Sequence, residues 1–251
     1  MIPQSEAELA DMIKAANAPL RIAGGGTRGI GGDGMALDTG GLGGVRLYEP
    51  GALTLVAGAG TSVAEIETTL AAENQRLAFE PSDLRDALGT SGESTIGGVV
   101  ATGASGPRRI SVGAVRDHML GVRFVDGTGT PVKNGGRVMK NVTGYDLVKL
   151  MSGSHGTLGV LTEVSLKVLP DVEMQASLRL DGLTTAQAVQ TMCGALGSPY
   201  EVSGAARDLD GAVLLRLEGF ENSVRYRAQA LMAKLGGDAT LIENSADVWR
   251  D

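Results

Sequence analysis

Two stretches of small residues hold the chemistry this sequence can do. "RIAGGGTRGIGGDG" runs from Arg21 to Gly34, and seven of the eleven residues from Gly24 onward are glycine. Ordered glycine gives up more conformational entropy than any other residue, so such a loop needs something to hold it. A bound anion gripped by backbone N–H groups is the usual holder. Further along, "SGESTIGGVVATGASGPRR" is a second run of small and hydroxyl side chains. Ser94 is expected to cap a short helix there, with its first N–H groups supplied by residues 95–98 and with Gly97 and Gly98 letting a ligand approach the backbone. A diphosphate suits both runs. Each N–H contact to a charged oxygen contributes about 1.5–3 kcal/mol, which offsets the glycine entropy without a lysine. Gly24-x-Gly26-x-x-Gly29 also matches the G-x-G-x-x-G dinucleotide motif literally, but that motif needs a helix starting inside it. "IGGDGM" follows here and cannot start one.

The elements that must position these runs are legible in the hydrophobic pattern. "SEAELADMIKAANA" reads as a helix with Ser5 and Glu8 as a capping box and Leu9, Met12, Ile13 and Ala16 as one apolar stripe. Residues 20–23 form a short strand leading into the glycine loop, and "MALDT" and "VRLYE" are further strands. "ALTLVAGAG" feeds a helix that begins at the Ser62/Glu65 box, and residues 78–94 read as loop. "HMLGVRFVDGTGTPVK" predicts a hairpin turning at Asp126-Gly127. "VLTEVSLKVLP" alternates Val160, Thr162, Val164, Leu166 and Val168 on one strand face. After Pro170 the texture changes. Residues 171–244 follow the order β-α-β-β-α-β of a split βαβ unit. In its first helix Val189, Met192, Cys193 and Leu196 share a face, which predicts Cys193 as packing. The class is α+β, with domains at 1–170 and 171–251.

Composition narrows the function. The 251 residues carry a net charge of −7 without a Lys/Arg-rich run, which argues against a nucleic-acid partner. No apolar stretch reaches transmembrane length, and the acidic N-terminus does not read as a secretory signal. One cysteine excludes an intrachain disulfide or a resident iron–sulfur cluster, and His118 and His155 do not make a metal site. A reducing, cytoplasmic compartment is expected.

Four blocks carry a family resemblance: "RIAGGGT" at 21–27, "VAGAGTSVAEIE" at 56–67, "STIGGVVATGASGPRR" at 94–109 and "NVTGYDLVKLMSGSHGTLGVLTEVSLKVLP" at 141–170. In order and spacing they resemble the FAD-binding domain of the vanillyl-alcohol oxidase (p-cresol methylhydroxylase, PCMH) family. The resemblance implies a PCMH-type domain of two α+β subdomains over 1–170, followed by a partial ferredoxin-like cap. It implies that Ala23, Gly24, Gly25, Gly26, Thr27 and Arg28 wrap the FAD diphosphate, with Thr95, Gly97 and Gly98 on the other side. Pro81 and Ser82 would line the ribityl region. Ala104, Ser105, Gly106 and Arg108 would sit near the isoalloxazine, and Gly159, Val160 and Leu161 at the adenine end. No histidine lies near the first glycine loop, so FAD is expected to be non-covalent. Thr102-Gly103 replaces the family's Thr-Asn pair, and His155 stands where glutamate is common, as a turn residue.

Within the family the blocks are most similar to FAD-binding subunits of 2-hydroxyacid oxidases acting on glycolate. That implies oxidation of glycolate to glyoxylate with hydride transfer to flavin, a sister flavin subunit and an iron–sulfur subunit as partners, and a place in the cytoplasm or peripheral to the inner membrane through those partners. The alternative is a non-catalytic flavin-binding assembly or electron-relay subunit. The resemblance also implies further cap and a closing segment beyond "SADVWRD". Catalytic residues stay open. Arg108 and Arg109 are the candidates for holding a substrate carboxylate, and the other reading of the pair is a structural salt bridge or a flavin contact. His118 is expected to pack.

Overall fold

The computed structural model describes residues 1–137, 144–236 and 238–249. The chain divides into two compact units. The first comprises residues 1–105 and 113–170; the second comprises residues 106–112 and 171–251.

In the first unit, helix α1 (Glu6–Ala15) starts where Ser5 accepts the N–H of Glu8. The Glu8 carboxylate closes on the N–H of Gln4 rather than on that of the cap, because the chain enters the helix extended. Strands β1 (Leu20–Ala23) and β2 (Met35–Asp38) pair in parallel. Then come β3 (Val45–Glu49), β4 (Thr54–Gly58), α2 (Val63–Ala71) capped by Ser62, and the two-residue β5 (Gln75–Arg76). The expected loop after it contains one helical turn, α3 (Arg85–Leu88), closed by Gly89 in the left-handed region. Helix α4 (Ile96–Thr102) is capped by Thr95, not by Ser94. Ser94 instead gives its carbonyl to the N–H of Val63, which leaves the next residue to start the helix.

Helix α5 (Arg109–Val112) counts with the second unit, and from Gly113 the chain of the first unit passes α6 (Val115–His118) into β6 (Met119–Val125) and β7 (Pro131–Gly135). Their hairpin loop is wider than a two-residue turn. Asp126 Oδ1 accepts the N–H groups of Thr128 and Thr130 and organises five residues. Helix α7 (Leu147–Met151), β8 (Val160–Lys167) and β9 (Leu169–Pro170) complete the unit, and residues 141–143 of the fourth family block lie outside the described residues. The main sheet is antiparallel in the order β3-β4-β8-β6-β7. Strand β8 is central and buried on both faces, so Leu161 and Ser165 are covered along with the alternating set. An aliphatic core forms around Leu55, Ile66, Ile96, Val164 and Leu166. His118 packs in the first unit, with its ring 5.5 Å from that of Phe79. A smaller cluster of Leu9, Ile13, Leu37, Val125 and Val160 seats α1 on the sheet. Glu6 pins that helix through Arg123 and through the Thr162 hydroxyl at 2.7 Å.

The second unit is built from β10 (Met174–Leu180), α8 (Thr185–Leu196), β11 (Gly204–Arg207), β12 (Val213–Gly219), α9 (Glu221–Leu235) and β13 (Ala239–Glu243). The sheet order β11-β12-β10-β13, antiparallel throughout, is that of a split βαβ unit. The expected packing of Cys193 is wrong: it is exposed, as are Val189 and Leu196. Helix α8 turns Ala188 and Ala195 to the core with Met192 beside them, because small side chains let it approach the sheet closely. No described helix is long and apolar enough to cross a membrane.

Candidate functional site

Strand β1 delivers the chain into the first glycine run, and the Thr39 hydroxyl fixes the exit by donating to the Ala23 carbonyl at 3.1 Å. The two small-residue runs are in contact. A Cβ on Gly25 would fall 1.5 Å from the Glu93 carbonyl oxygen, and one on Gly24 would fall 2.5 Å from Thr95 Oγ1. The Thr90 hydroxyl donates to the carbonyl of the buried Thr27 at 3.0 Å. Gly26 lies at φ +72°, a conformation that suits glycine, with open space where a side chain would go. Part of the entropy of ordering this loop is therefore offset by its neighbour loop. Its donors are another matter. Among the described residues, the backbone N–H groups of residues 24–28 have no acceptor.

Beside them sits a cation in the same condition. The three guanidinium nitrogens of Arg28 are buried and make no hydrogen bond among the described residues. Burial pushes the Arg28 pKa down, and the Asp83 carboxylate pulls the other way. Asp83 is itself engaged by Arg85, whose hydrogen bonds hold that carboxyl below the usual aspartate range. Arginine stays charged in proteins, and an unpaired buried guanidinium is costly. N–H groups and a guanidinium that make no hydrogen bond among the described residues, set in one loop, fit a multiply charged anion such as a diphosphate.

The second run differs from expectation in how it serves the site. Of the helix α4 donors, Ile96 N–H goes to the Thr61 carbonyl at 2.9 Å, Gly97 N–H to the Ala59 carbonyl at 2.8 Å and Gly98 N–H to Thr95 Oγ1 at 3.3 Å. These groups are satisfied inside the protein. Gly97 is small because a Cβ would meet the Ala59 carbonyl at 2.7 Å, a packing demand and not a ligand's approach. Helix α4 acts instead as a spacer. Its seven residues carry the chain roughly 10 Å, from Thr95 beside the glycine loop to Gly103 and Ala104.

At the other end of β1, a cavity of about 260 Å³ is lined by Ile13, Leu20, Ile22, Asp126, Gly159 and Val160, among others. That is below the size of a whole drug-like ligand and suits one planar ring. Ile22 lines the cavity and Gly24 opens the loop, so one strand connects a ring-sized cavity to an anion-seeking loop. Gly159 is required at the cavity mouth, since a Cβ would fall 2.8 Å from Phe124 Cδ2 and from the Val125 carbonyl. Leu161 faces the main core instead.

The remaining expected site residues are dispersed. Pro81 and Ser82 are half-buried in the loop that holds Asp83. Ala104 is half-buried, and the Ser105 hydroxyl accepts the Val115 N–H at 2.9 Å. Gly106 is buried, and Arg109 is exposed. Arg108 is committed to Glu218 in the second unit, with Nε 3.0 Å and Nη2 3.0 Å from its carboxylate oxygens, which is the salt-bridge reading of this pair. Sequence reasoning missed Thr39, Asp83, Thr90 and Glu93, whose roles come from loop-to-loop contact that no local pattern encodes. It also missed Ile13, Ile22 and Asp126 at the cavity, where the apolar period of α1 was the available signal.

Residues 1–135 match the family described as FAD binding domain. The chain belongs to that family. Its cofactor is FAD, and the expected PCMH-type membership and α+β class hold. The chain is 42% identical over 188 residues to the glycolate oxidase subunit GlcE of Escherichia coli (strain K12), covering 75% of this chain and 51% of that protein. It is 29% identical over 178 residues to a D-lactate dehydrogenase of Archaeoglobus fulgidus, covering 68% of this chain and 38% of that one. Among solved structures, an alkyldihydroxyacetonephosphate synthase superposes with a TM-score of 0.73 at 19% identity, over 97% of this chain and 51% of its own. A chitooligosaccharide oxidase gives 0.69 at 20%, over 96% and 52%. These two similarities speak for the fold. The chain spans about half or less of the length of the proteins it matches.

Proposed function

We propose that this chain is the FAD-holding part of a 2-hydroxyacid oxidoreductase that converts glycolate to glyoxylate. Residues 23–28 wrap the diphosphate, with Arg28 as its counter-charge. Thr95, Gly97 and Gly98 wall the loop from the other side. The cavity bordered by Gly159 and Val160 takes the adenine, with Leu161 next along the strand. Pro81 and Ser82 flank the ribityl chain, and residues 104–106 approach the isoalloxazine. FAD, when bound, supplies the acceptor for the hydride leaving the substrate's Cα. The chain's own part is to bind and orient that group, and with no histidine near the glycine loop it does so non-covalently.

The observation that carries the flavin part is the buried guanidinium of Arg28, which, like the N–H groups around it, makes no hydrogen bond among the described residues. Support for glycolate comes from the Escherichia coli relative, named a glycolate oxidase subunit, and from a Bacillus subtilis relative named glycolate oxidase subunit GlcD, 33% identical over 127 residues. Those names, each a subunit's, also support membership of a complex. The proposed partners are a sister flavin subunit and an iron–sulfur subunit, and the proposed place is the cytoplasm or the inner-membrane surface reached through them. Purified protein should show flavin absorption bands that acid precipitation releases into solution, and anaerobic glycolate should bleach them. A colourless protein that takes up no added FAD would overturn the reading. A second reading, a flavin-binding assembly or relay subunit, is favoured by the commitment of Arg108 to Glu218, which takes this arginine away from a substrate carboxylate. It predicts bleaching by glycolate only after the sister subunit is added.

A further inference from the structure

Residues 106–112 leave the first unit after Ser105, count with the second unit, and return at Gly113. The base of this excursion is fixed where the Ser105 hydroxyl accepts the Val115 N–H. Inside the segment, the Arg108 carbonyl accepts the Ser111 hydroxyl at 3.0 Å and the Val112 N–H at 3.1 Å, which curls the chain around Arg108. The Arg108 side chain then reaches Glu218, where Nε lies 3.2 and 3.0 Å from the two carboxylate oxygens. Both side chains are more than nine-tenths buried.

Glu218 serves more than one cation. The Nε of fully buried Arg216 lies 3.6 Å from its carboxylate, and Arg227 Nη2 donates to its backbone carbonyl at 2.7 Å. Two buried guanidinium groups therefore share one carboxylate. Such a group can be replaced only at a large cost, because each partner left behind is a buried charge. The charge-assisted, two-oxygen geometry also fixes direction and not only distance. An arginine held this way is a rigid post, and the peptide carrying it inherits that rigidity.

We infer that Glu218 is a positioning residue: by fixing Arg108 it sets the conformation of residues 104–106, and through them the environment of the flavin ring. This rests on the proposed placement of the isoalloxazine at those residues. It gives residues 106–112 a reason to belong to the second unit, which a plain linker would lack.

The test uses the full chain and two variants. Arg108→Gln removes the post while leaving Glu218 paired with Arg216. Glu218→Gln removes the shared carboxylate. In Arg108→Gln, hydrogen exchange of the peptide covering 104–112 should rise by about tenfold or more, with the β10 peptide unchanged. The flavin absorption maxima and reduction potential should shift, and Arg108→Lys should restore part of both. Should Glu218→Gln unfold the second unit, Arg108→Gln alone decides. Unchanged exchange at 104–112, or raised exchange with wild-type flavin spectrum and potential, would overturn the inference. FAD content of the wild-type chain is measured first: absent FAD sinks the flavin reading, whereas normal FAD with unmoved variants sinks only the role of Glu218.

Discussion

The two units treat buried arginine in opposite ways. The second unit buries Arg108, Arg216 and Arg227 and gives each a partner: the Glu218 carboxylate for two of them, backbone carbonyls of Tyr200 and Glu218 for the third, and the Trp249 ring 4.5 Å from the Arg216 guanidinium carbon. The first unit buries the guanidinium nitrogens of Arg28 and gives them no hydrogen-bond partner among the described residues, leaving only the field of Asp83, a carboxylate already engaged by Arg85. Desolvating a cation is costly in either place. Where the protein provides the answering charge, the arginine is architecture. Where it leaves the guanidinium without hydrogen bonds, the site suits an answering charge from outside the chain. The same contrast holds for backbone donors: those opening α4 are satisfied internally, and those of residues 24–28 find no acceptor among the described residues.

The contrast breaks most visibly at Glu218. Glu218→Ala should cost about 3–5 kcal/mol of second-unit stability in a denaturant titration, because two buried cations lose one shared carboxylate. A cost under about 1 kcal/mol, the surface-pair range, would mean these arginines are not held as described. Arg28→Gln should act on binding instead. It should weaken FAD by about tenfold to a hundredfold in a fluorescence titration of the apoprotein, the loss of one charge-assisted contact. The apoprotein's own melting temperature should change little, since Arg28 gives up no hydrogen bond among the described residues and Asp83 keeps Arg85. A variant that destabilises the apoprotein while keeping FAD affinity would reverse the assignment.

A smaller effect sharpens the comparison from the paired side of the first unit. Hydrogen bonding to Arg123 holds the Glu6 carboxyl below its usual range. A depressed folded-state value means the contribution is present above about pH 4.3, the unfolded glutamate value, and is lost as pH falls through the folded value. Glu6→Gln should therefore cost on the order of 1 kcal/mol at pH 7 and progressively less as pH falls below about 4, read from denaturation midpoints across that range. Smallest of all is Cys193→Ser, expected within about 0.5 kcal/mol of wild type because the thiol is exposed. The native thiol should titrate fully with a disulfide reagent, and a thiol reached only after unfolding would restore the packing expectation.

Much of the fold was legible where local periodicity decides it. Residues 20–23, 160–167 and the β-α-β-β-α-β order after Pro170 could be read directly, because alternation and capping are short-range signals. Helix α8 was misread at its face. Its apolar residues are dense enough that two adjacent stripes look alike, and only the fit of Ala188 and Ala195 against the sheet separates them. The meeting of the two small-residue runs was anticipated from composition, yet its means was not: the expected N–H donors of α4 are spent inside, and the donors that stay free lie in the first run. The Arg108–Glu218 pair, 110 positions apart, was legible only as a general possibility, since nothing local names the partner.

Pro170 looks like a natural place to cut this chain in two. It is not a clean seam. A fragment ending there would carry residues 106–112 away from the body they belong to, and the remainder would keep Arg216 and Glu218 without the third member of their charge cluster. Anyone wishing to produce either half alone must therefore edit at two separated points of the gene, and swapping the second half between relatives brings the heptapeptide at 106–112 along as part of the graft.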